Sequence, residues 1–159
     1  MNKYLSILGY QGPNILLALI LLTFAWQDLT MPFPYMAVLA WQILSHLLNV
    51  TIKNILRAPR PDSYKEDPHF ADLKPTIKNF LTIHRQFGMP SGHAQATVSE
   101  LTFIALYFKQ PLLTAFALLQ TALTLWQRYE TRRHSVKQLA AGSMIGIGVG
   151  FAFYKFFLK

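Results

Sequence analysis

Cysteine is absent from this sequence of 159 residues, and charged residues are scarce. Without cysteine the chain has no disulfide, no thiolate nucleophile and no cysteine-ligated metal, and its redox compartment stays open. Charged residues make up 14% of the chain, against about 25% in an ordinary soluble domain. Carboxylates are the rarest of them, because 7 Asp and Glu face 15 Lys and Arg, for a net charge of +8. These shortages argue against a soluble domain and favour a bilayer protein with a basic surface.

What the chain has instead is apolar sequence, 52% of all residues, arranged in blocks. Five blocks are long enough to suggest membrane spans: 13–26, 35–52, 92–108, 112–126 and 138–157. We therefore predict an all-α, multi-pass membrane helical bundle, a single domain over 1–159 with about five transmembrane helices. Gly142, Gly146 and Gly150 form an i, i+4 stripe in the last block, which favours close helix packing.

A long polar connection over residues 53–90 separates the second and third blocks. Within it, residues 75–87 have helical apolar spacing and predict a short amphipathic helix in the membrane interface, where it could act as a lid. His69 and His84 lie in this connection, and we assign them no role. Because the basic residues cluster between apolar blocks, a membrane surface or an anionic substrate is a better partner than nucleic acid.

The connection ends in Pro90-Ser91-Gly92-His93, at the start of the third block. Proline in the first turn of a helix predicts a helix N-terminus with free N–H groups on Ser91, Gly92 and His93. Such a terminus binds anions, and a histidine in the same turn can exchange a proton with the anion.

Because successive spans alternate in direction, four polar or charged residues should lie on one side of the membrane. Lys53 ends the second span, Ser91 begins the third, Arg128 ends the fourth and His134 precedes the fifth. With Arg60, the predicted pocket contains three strong cations and two histidines. Arginine offers phosphate a planar fork and lysine a point charge, so this set suits a phosphate or a diphosphate.

These residues resemble the motifs of the type 2 phosphatidic acid phosphatase family. Lys53, followed after six residues by Arg60-Pro61, is similar to its first motif, Pro90-Ser91-Gly92-His93 to its second, and Arg128, followed after five residues by His134, to its third. The resemblance covers residues 53 to 138. One position departs from the pattern, because Gln138 stands where the family usually has an aspartate four residues after the histidine.

The resemblance implies a two-step phosphatase mechanism without metal or cofactor. His134 would attack phosphorus and form a phosphohistidine, and His93 would protonate the leaving oxygen and then activate water. The phosphoryl oxygens would be held by a larger set of groups: Lys53, Arg60, Arg128, Ser91 and Gly92. The side-chain oxygen of Gln138 could accept a hydrogen bond from the far ring nitrogen of His134, but without the charge of a carboxylate.

Several alternatives stay open at this stage. Gln138, the residues beside the second motif and the segment from Leu48 to Lys53 are similar to the dolichyl diphosphatase branch, which favours a polyprenyl diphosphate substrate. Phosphatidate or another lipid monophosphate is the alternative substrate. A catalytically weak lipid-headgroup binding protein is the alternative class, motivated by Gln138. The expected partners are the lipid substrate and the bilayer, and the oligomeric state is open.

The side of the membrane and three further groups of residues also stay open. Twelve Lys and Arg fall on the site side and three on the other, which predicts a cytosolic site. The family resemblance implies an extracytosolic site, lumenal or periplasmic, and we favour it. Glu100 lies inside a span, where packing against a polar group is as plausible as catalysis. His46 is expected to hydrogen-bond between helices, and the basic residues Arg132, Arg133 and Lys137 to bind headgroups or remain solvated.

Overall fold

The computed structural model describes residues 3–27, 32–61 and 87–157. Within these ranges the chain forms six helices, and the one bridge outside them pairs Pro59 with Phe87. The helices are α1 (Lys3–Tyr10), α2 (Gly12–Trp26), α3 (Phe33–Leu56), α4 (Gly92–Tyr107), α5 (Pro111–Glu130) and α6 (Val136–Phe157). The predicted all-helical class is confirmed over these residues. The predicted interfacial helix over 75–87 lies outside the described residues except for Phe87. His69 and His84 also lie outside them.

Proline marks the start of three helices. Pro13, Pro34 and Pro111 occupy the first or second positions of α2, α3 and α5, where a missing N–H costs no hydrogen bond and φ is already helical. The helix α3 is capped at its C-terminus by Arg57, which adopts the left-handed conformation with φ 46°. That residue turns the chain sharply and starts the segment that carries Arg60.

The glycine stripe predicted in the last block packs against α4. A Cβ at Gly146 would lie 2.6 Å from the Gln95 carbonyl oxygen, and Gly142 and Gly150 meet the backbone of α4 in the same way. Only glycine allows two helix backbones to approach so closely. The predicted close packing is thus confirmed, and it holds the N-terminus of α4 beside the start of α6.

Aromatic side chains fill the opposite end of the bundle. Phe24, Trp41, Phe103 and Phe153 are buried and come from α2, α3, α4 and α6. Trp41 stacks on Phe153 with ring centroids 4.2 Å apart, and Phe103 lies 4.9 Å from the same ring. Such contacts add to the free energy gained by burying the rings. The bundle is therefore anchored at one end, and the polar groups collect at the other.

Five membrane spans are not confirmed. By length and composition, two described helices could cross a membrane, α3 and α6, and a third span results if α1 and α2, bent by 59°, count as one. The helix α4 has 16 residues, fewer than the roughly 20 that a spanning helix needs. The helix α5 has 20 residues, but Gln120, Thr121, Thr124 and Gln127 interrupt its apolar sequence.

Candidate active site

Hydrogen bonds to main-chain carbonyls hold the first motif beside the third motif and beside the residues that precede the second. Lys53 lies in the last turn of α3 and is 5% exposed. Beyond Arg57 the chain returns beside residues 87 and 88, where the Gly88 N–H donates to the Ala58 carbonyl at 2.8 Å. Arg60 then reaches the third motif, because its Nη1 donates to the Arg133 carbonyl at 2.9 Å.

The second motif forms the N-terminus of α4, with one correction to the prediction. Ser91 is the N-cap rather than a residue of the first turn, and its Oγ accepts from the Ala94 N–H at 3.4 Å. Its own N–H is not free, because it donates to the Gln138 carbonyl at 3.1 Å. Ser91 is fully buried and does not line the cavity described below, whereas Gly92 and His93 do. A capping side chain faces its own helix, which explains why Ser91 turns away.

The third motif folds back over the end of α5. Arg128 lies in the last turn of α5 and is 3% exposed. The N–H groups of Arg133 and His134 both donate to the Arg128 carbonyl, at 3.1 and 3.3 Å. Arg132, with φ 55°, makes the reversal possible. This turn brings His134 beside Arg128 before α6 begins.

The ring of His134 is fixed at both nitrogens. Its Nδ1 lies 2.9 Å from the Gly88 carbonyl oxygen, and a carbonyl only accepts, so Nδ1 carries the proton and the neutral ring has its lone pair on Nε2. Nε2 lies 3.4 Å from Nη1 of Arg60. Burial first, and then Arg60, Lys53 and Arg128, lower the pKa of His134 to about 3, while the Gly88 carbonyl opposes the shift. The imidazole is therefore neutral at physiological pH, as a nucleophile must be.

These segments enclose a cavity of about 350 Å³. All three cations predicted for the site line it, together with Arg133, and so do His93 and His134. No Asp or Glu of the described residues lines it. The remaining lining residues are Tyr10, Pro13, Asn14, Gln42, Ser45, His46, Asn49, Gly92, Gln95 and Ala96. A concave site lined by four cations attracts a polyanion.

A comparison with protein families matches residues 34–159 to the PAP2 superfamily. The chain belongs to the PAP2 superfamily. No curated protein and no solved structure matches the chain. PAP2 proteins are phosphatases, and the membership supports a hydrolase that acts on lipid-like phosphates in a membrane. The match covers all three motifs and describes the superfamily as a whole.

The predicted contact between Gln138 and His134 is wrong for this PAP2 protein. The Gly88 carbonyl takes the ring N–H that Gln138 was expected to accept. The Gln138 side chain instead accepts from the Ser135 N–H at 3.1 Å and donates from Nε2 to the Pro59 carbonyl at 2.7 Å. Because the Gln138 carbonyl also accepts from Ser91, this residue links all three motifs. Its amide is needed as a donor, which an aspartate could not supply.

A strip of side-chain amides forms the wall of the cavity between α3 and α4. Asn49 donates to Gln95 at 2.8 Å, Gln95 donates to both oxygens of Ser45, at 2.8 and 3.0 Å, and Gln42 donates to Glu100 at 2.7 Å. Glu100 is 1% exposed and lies behind Gln42, outside the cavity lining. Of the two alternatives for Glu100, the structure shows packing against a polar group, and the partner is Gln42 of α3.

Sequence reasoning missed several residues that line the cavity. His46 was expected only to bond between helices, yet it lies in the wall, and Arg133 was expected at the surface. A helical repeat of polar residues in α3, at 42, 45, 46, 49 and 53, is the signal that could have revealed this wall. Tyr10 carries no such signal, because it lies in a separate helix before the PAP2 match begins.

Proposed function

We propose that this PAP2 protein is a lipid phosphate phosphatase that works through a phosphohistidine on His134. The observation that carries the proposal is the ring of His134, which has its proton held on Nδ1 by the Gly88 carbonyl and its Nε2 beside Arg60 in a cationic cavity. A neutral, oriented imidazole next to cations is what attack on a phosphate ester requires, since phosphoryl transfer depends mainly on positioning and charge stabilisation.

The reaction has two steps. In the first, Nε2 of His134 attacks phosphorus, a P–N bond forms, and the P–O bond to the leaving group, the lipid alcohol or the lipid monophosphate, breaks; the His93 imidazolium gives its proton to the departing oxygen and becomes neutral. In the second, His93 takes a proton from water, the resulting hydroxide attacks phosphorus, and the P–N bond breaks to release phosphate. Lys53, Arg60 and Arg128 neutralise the phosphoryl oxygens throughout, with the N–H of Gly92 at the N-terminus of α4. None of these steps uses a metal or a cofactor.

The finer proposal for the substrate is a polyprenyl diphosphate, hydrolysed to the monophosphate and phosphate. Four cationic side chains line the cavity, and no described carboxylate offsets them. A phosphate monoester carries at most two negative charges and leaves two of these cations unneutralised. A diphosphate monoester carries up to three and balances the cavity more closely. Phosphatidate, a monoester, is the competing substrate.

A substrate panel tests both levels of the proposal. Purified protein in detergent is given farnesyl diphosphate, farnesyl monophosphate and phosphatidate, each with and without EDTA, and released phosphate is measured. We expect release that EDTA does not reduce, with the highest kcat/KM for the diphosphate. A higher kcat/KM for phosphatidate would overturn the diphosphate assignment. Binding of all three lipids without phosphate release would contradict the enzyme assignment and indicate a headgroup-binding protein.

Trapping of the phosphoenzyme tests the roles of the two histidines. With ³²P-labelled substrate and rapid denaturation at alkaline pH, the wild type should give an alkali-stable, acid-labile label. His134→Ala should give none. His93→Ala should accumulate label with a good leaving group, because attack survives while water activation is lost. Equal labelling of the wild type and His134→Ala would refute the nucleophile assignment.

For the side of the membrane we propose that the site faces away from the cytosol. The absence of cysteine makes labelling of single introduced cysteines straightforward. Glu130 is exposed at the site end of α5, and Lys109 is exposed at its other end. In intact cells an impermeant maleimide should label Glu130→Cys and spare Lys109→Cys. The reverse pattern would place the site in the cytosol, as the loop charges alone predict.

A further inference from the structure

Tyr10 is the last residue of α1 and contacts two side chains of the proposed catalytic centre. Its ring centroid lies 5.3 Å from that of His93, with the planes at 45°. The guanidinium carbon of Arg128 lies 4.8 Å from the same ring centroid, over its face. The ring lines the cavity. The PAP2 match begins at residue 34, so the family motifs do not include this contact.

The position of Tyr10 is determined by the packing of α1 on α5. Gln120 donates from Nε2 to the Leu8 carbonyl at 2.9 Å, and Gln127 donates to Ser6 Oγ at 3.4 Å. Gly9 lies directly on Gln127, where a Cβ would come within 2.6 Å of the Gln127 Cβ. The docking of the residues just before Tyr10 is therefore specific, and the ring is held over the end of α5 where Arg128 lies.

The two catalytic histidines are held in different ways. His134 has a hydrogen-bond acceptor on one ring nitrogen and an arginine beside the other. For His93, the described residues provide no hydrogen bond to the imidazole, and the ring contact with Tyr10 is an interaction that restricts its rotation. General acid catalysis requires the proton donor within hydrogen-bond distance of the leaving oxygen, so rotation of an unrestrained ring lowers the rate.

We propose that Tyr10 is a positioning residue of the phosphatase site, whose ring holds the His93 imidazole toward the leaving oxygen and packs on the Arg128 guanidinium. The inference rests on the proposed function. It extends the active site to the N-terminal helix α1, outside the residues matched to the PAP2 superfamily. A face-on arginine is stabilised by the ring, but the selective effect acts through His93, because only the acid–base step depends on the leaving group.

Leaving-group dependence tests this role. In Tyr10→Leu, kcat/KM for octyl phosphate should fall about tenfold or more, since an alkoxide needs the proton of His93, whereas kcat/KM for p-nitrophenyl phosphate should fall less than about threefold. Tyr10→Phe keeps the ring and should recover most of the octyl phosphate rate. Tyr4→Leu is the matched control, the same substitution at a residue of α1 that is 75% exposed, and should leave both rates unchanged.

An activity-independent measurement separates this inference from the proposed function. With ¹³C-labelled histidine, the Cε1–H proton of His93 should shift in Tyr10→Leu and return toward the wild-type value in Tyr10→Phe, because a nearby aromatic ring displaces it. An unchanged shift in Tyr10→Leu would overturn the inference even in an active enzyme. Equal loss with both substrates would also overturn it. If the wild type hydrolyses neither substrate, the proposed function fails, and the shift alone decides whether Tyr10 holds His93.

Discussion

Replacing Gln138 by the residue that the family usually has should damage this protein. Gln138 is 6% exposed, and its amide nitrogen donates to the Pro59 carbonyl at 2.7 Å. We consider Gln138→Glu, which keeps the length of the side chain, and Gln138→Asp, which restores the usual family residue. Both replace the donor by a carboxylate oxygen, which faces the Pro59 carbonyl as a second acceptor.

The magnitude follows from the lost partner. A buried carbonyl that loses its donor costs about 1–3 kcal/mol, which for a chain of this size lowers the midpoint of thermal unfolding by roughly 5 °C. Pro59 precedes Arg60, whose guanidinium lies beside the proposed nucleophile His134. A displacement that removes about 1.4 kcal/mol of transition-state stabilisation lowers kcat/KM tenfold. We therefore expect both variants to be less stable and about tenfold slower.

The stability of Gln138→Glu should depend on pH in a defined direction. A protonated carboxyl can donate to the Pro59 carbonyl, so the folded state raises the pKa of the introduced group above its usual value of about 4.3. The hydrogen bond is then present at low pH and is lost as pH rises through the raised pKa. The gap in unfolding temperature between wild type and variant should accordingly be smaller at pH 5 than at pH 8.

The assay is thermal unfolding in detergent at both pH values, with kcat/KM from phosphate release. Gln110→Glu is the control, because Gln110 is exposed at the far end of the bundle and its side chain makes no capping hydrogen bond. It should match the wild type in both measurements. A rise in activity in Gln138→Asp would refute the reasoning, since it would mean that a carboxylate at this position supports His134 better than the Gly88 carbonyl does.

Three further predictions concern other parts of the molecule. The His134 ring should stay neutral from pH 8 to pH 5 in NMR of histidine-labelled protein, because its pKa is about 3, and Arg60→Gln should raise that pKa; a wild-type transition near pH 6.5 would contradict this. As the unfolded ring takes up a proton near pH 6.5 and the folded ring only near pH 3, stability should fall between these values on acidification. Gly146→Ala should lower the unfolding temperature and Gly148→Ala, with open space around it, should not; equal unfolding temperatures would argue against the helix contact. Glu100→Gln should keep an acceptor for the Gln42 amide of α3, whereas Glu100→Leu should lower the free energy of unfolding by about 1–3 kcal/mol in chemical denaturation. Equal stability of the two variants would contradict the buried hydrogen bond between Gln42 and Glu100.

The spacing of the motifs predicted the convergence of the site because it depends on helix ends alone. Lys53 and Arg128 each lie one turn from the end of a helix, and His134 lies just before the next. Such positions follow from where apolar sequence stops. The glycine stripe was predictable for a similar reason, since small residues at every fourth position lie on one face of a helix and allow another helix to approach it.

Other features depend on tertiary geometry and could not be read from the residues. The acceptor for His134 is a main-chain carbonyl, that of Gly88, and every residue has a carbonyl, so no side-chain pattern reveals which one is used. Gln138 was paired with the wrong partner because its spacing from His134 shows that it lies one turn away. The spacing does not show in which direction its side chain points. The bend of 59° between α1 and α2, which brings Tyr10 to the site, has no counterpart in the hydropathy pattern.

The glycine contact between α4 and α6 has a consequence for how the surrounding bilayer acts on the protein. His93 lies in the first turn of α4 and His134 precedes α6, and the two helix backbones touch, so the two histidines move together. Lys53 belongs to α3, which meets α4 through long side-chain amides and exposes Leu39, Ile43 and Leu47. A change in bilayer thickness is absorbed by helix tilt, and the longer side-chain contacts let α3 tilt relative to α4 more than α6 does. Lipid thickness should therefore alter both KM and kcat through the position of Lys53, while the distance between the two histidines stays the same.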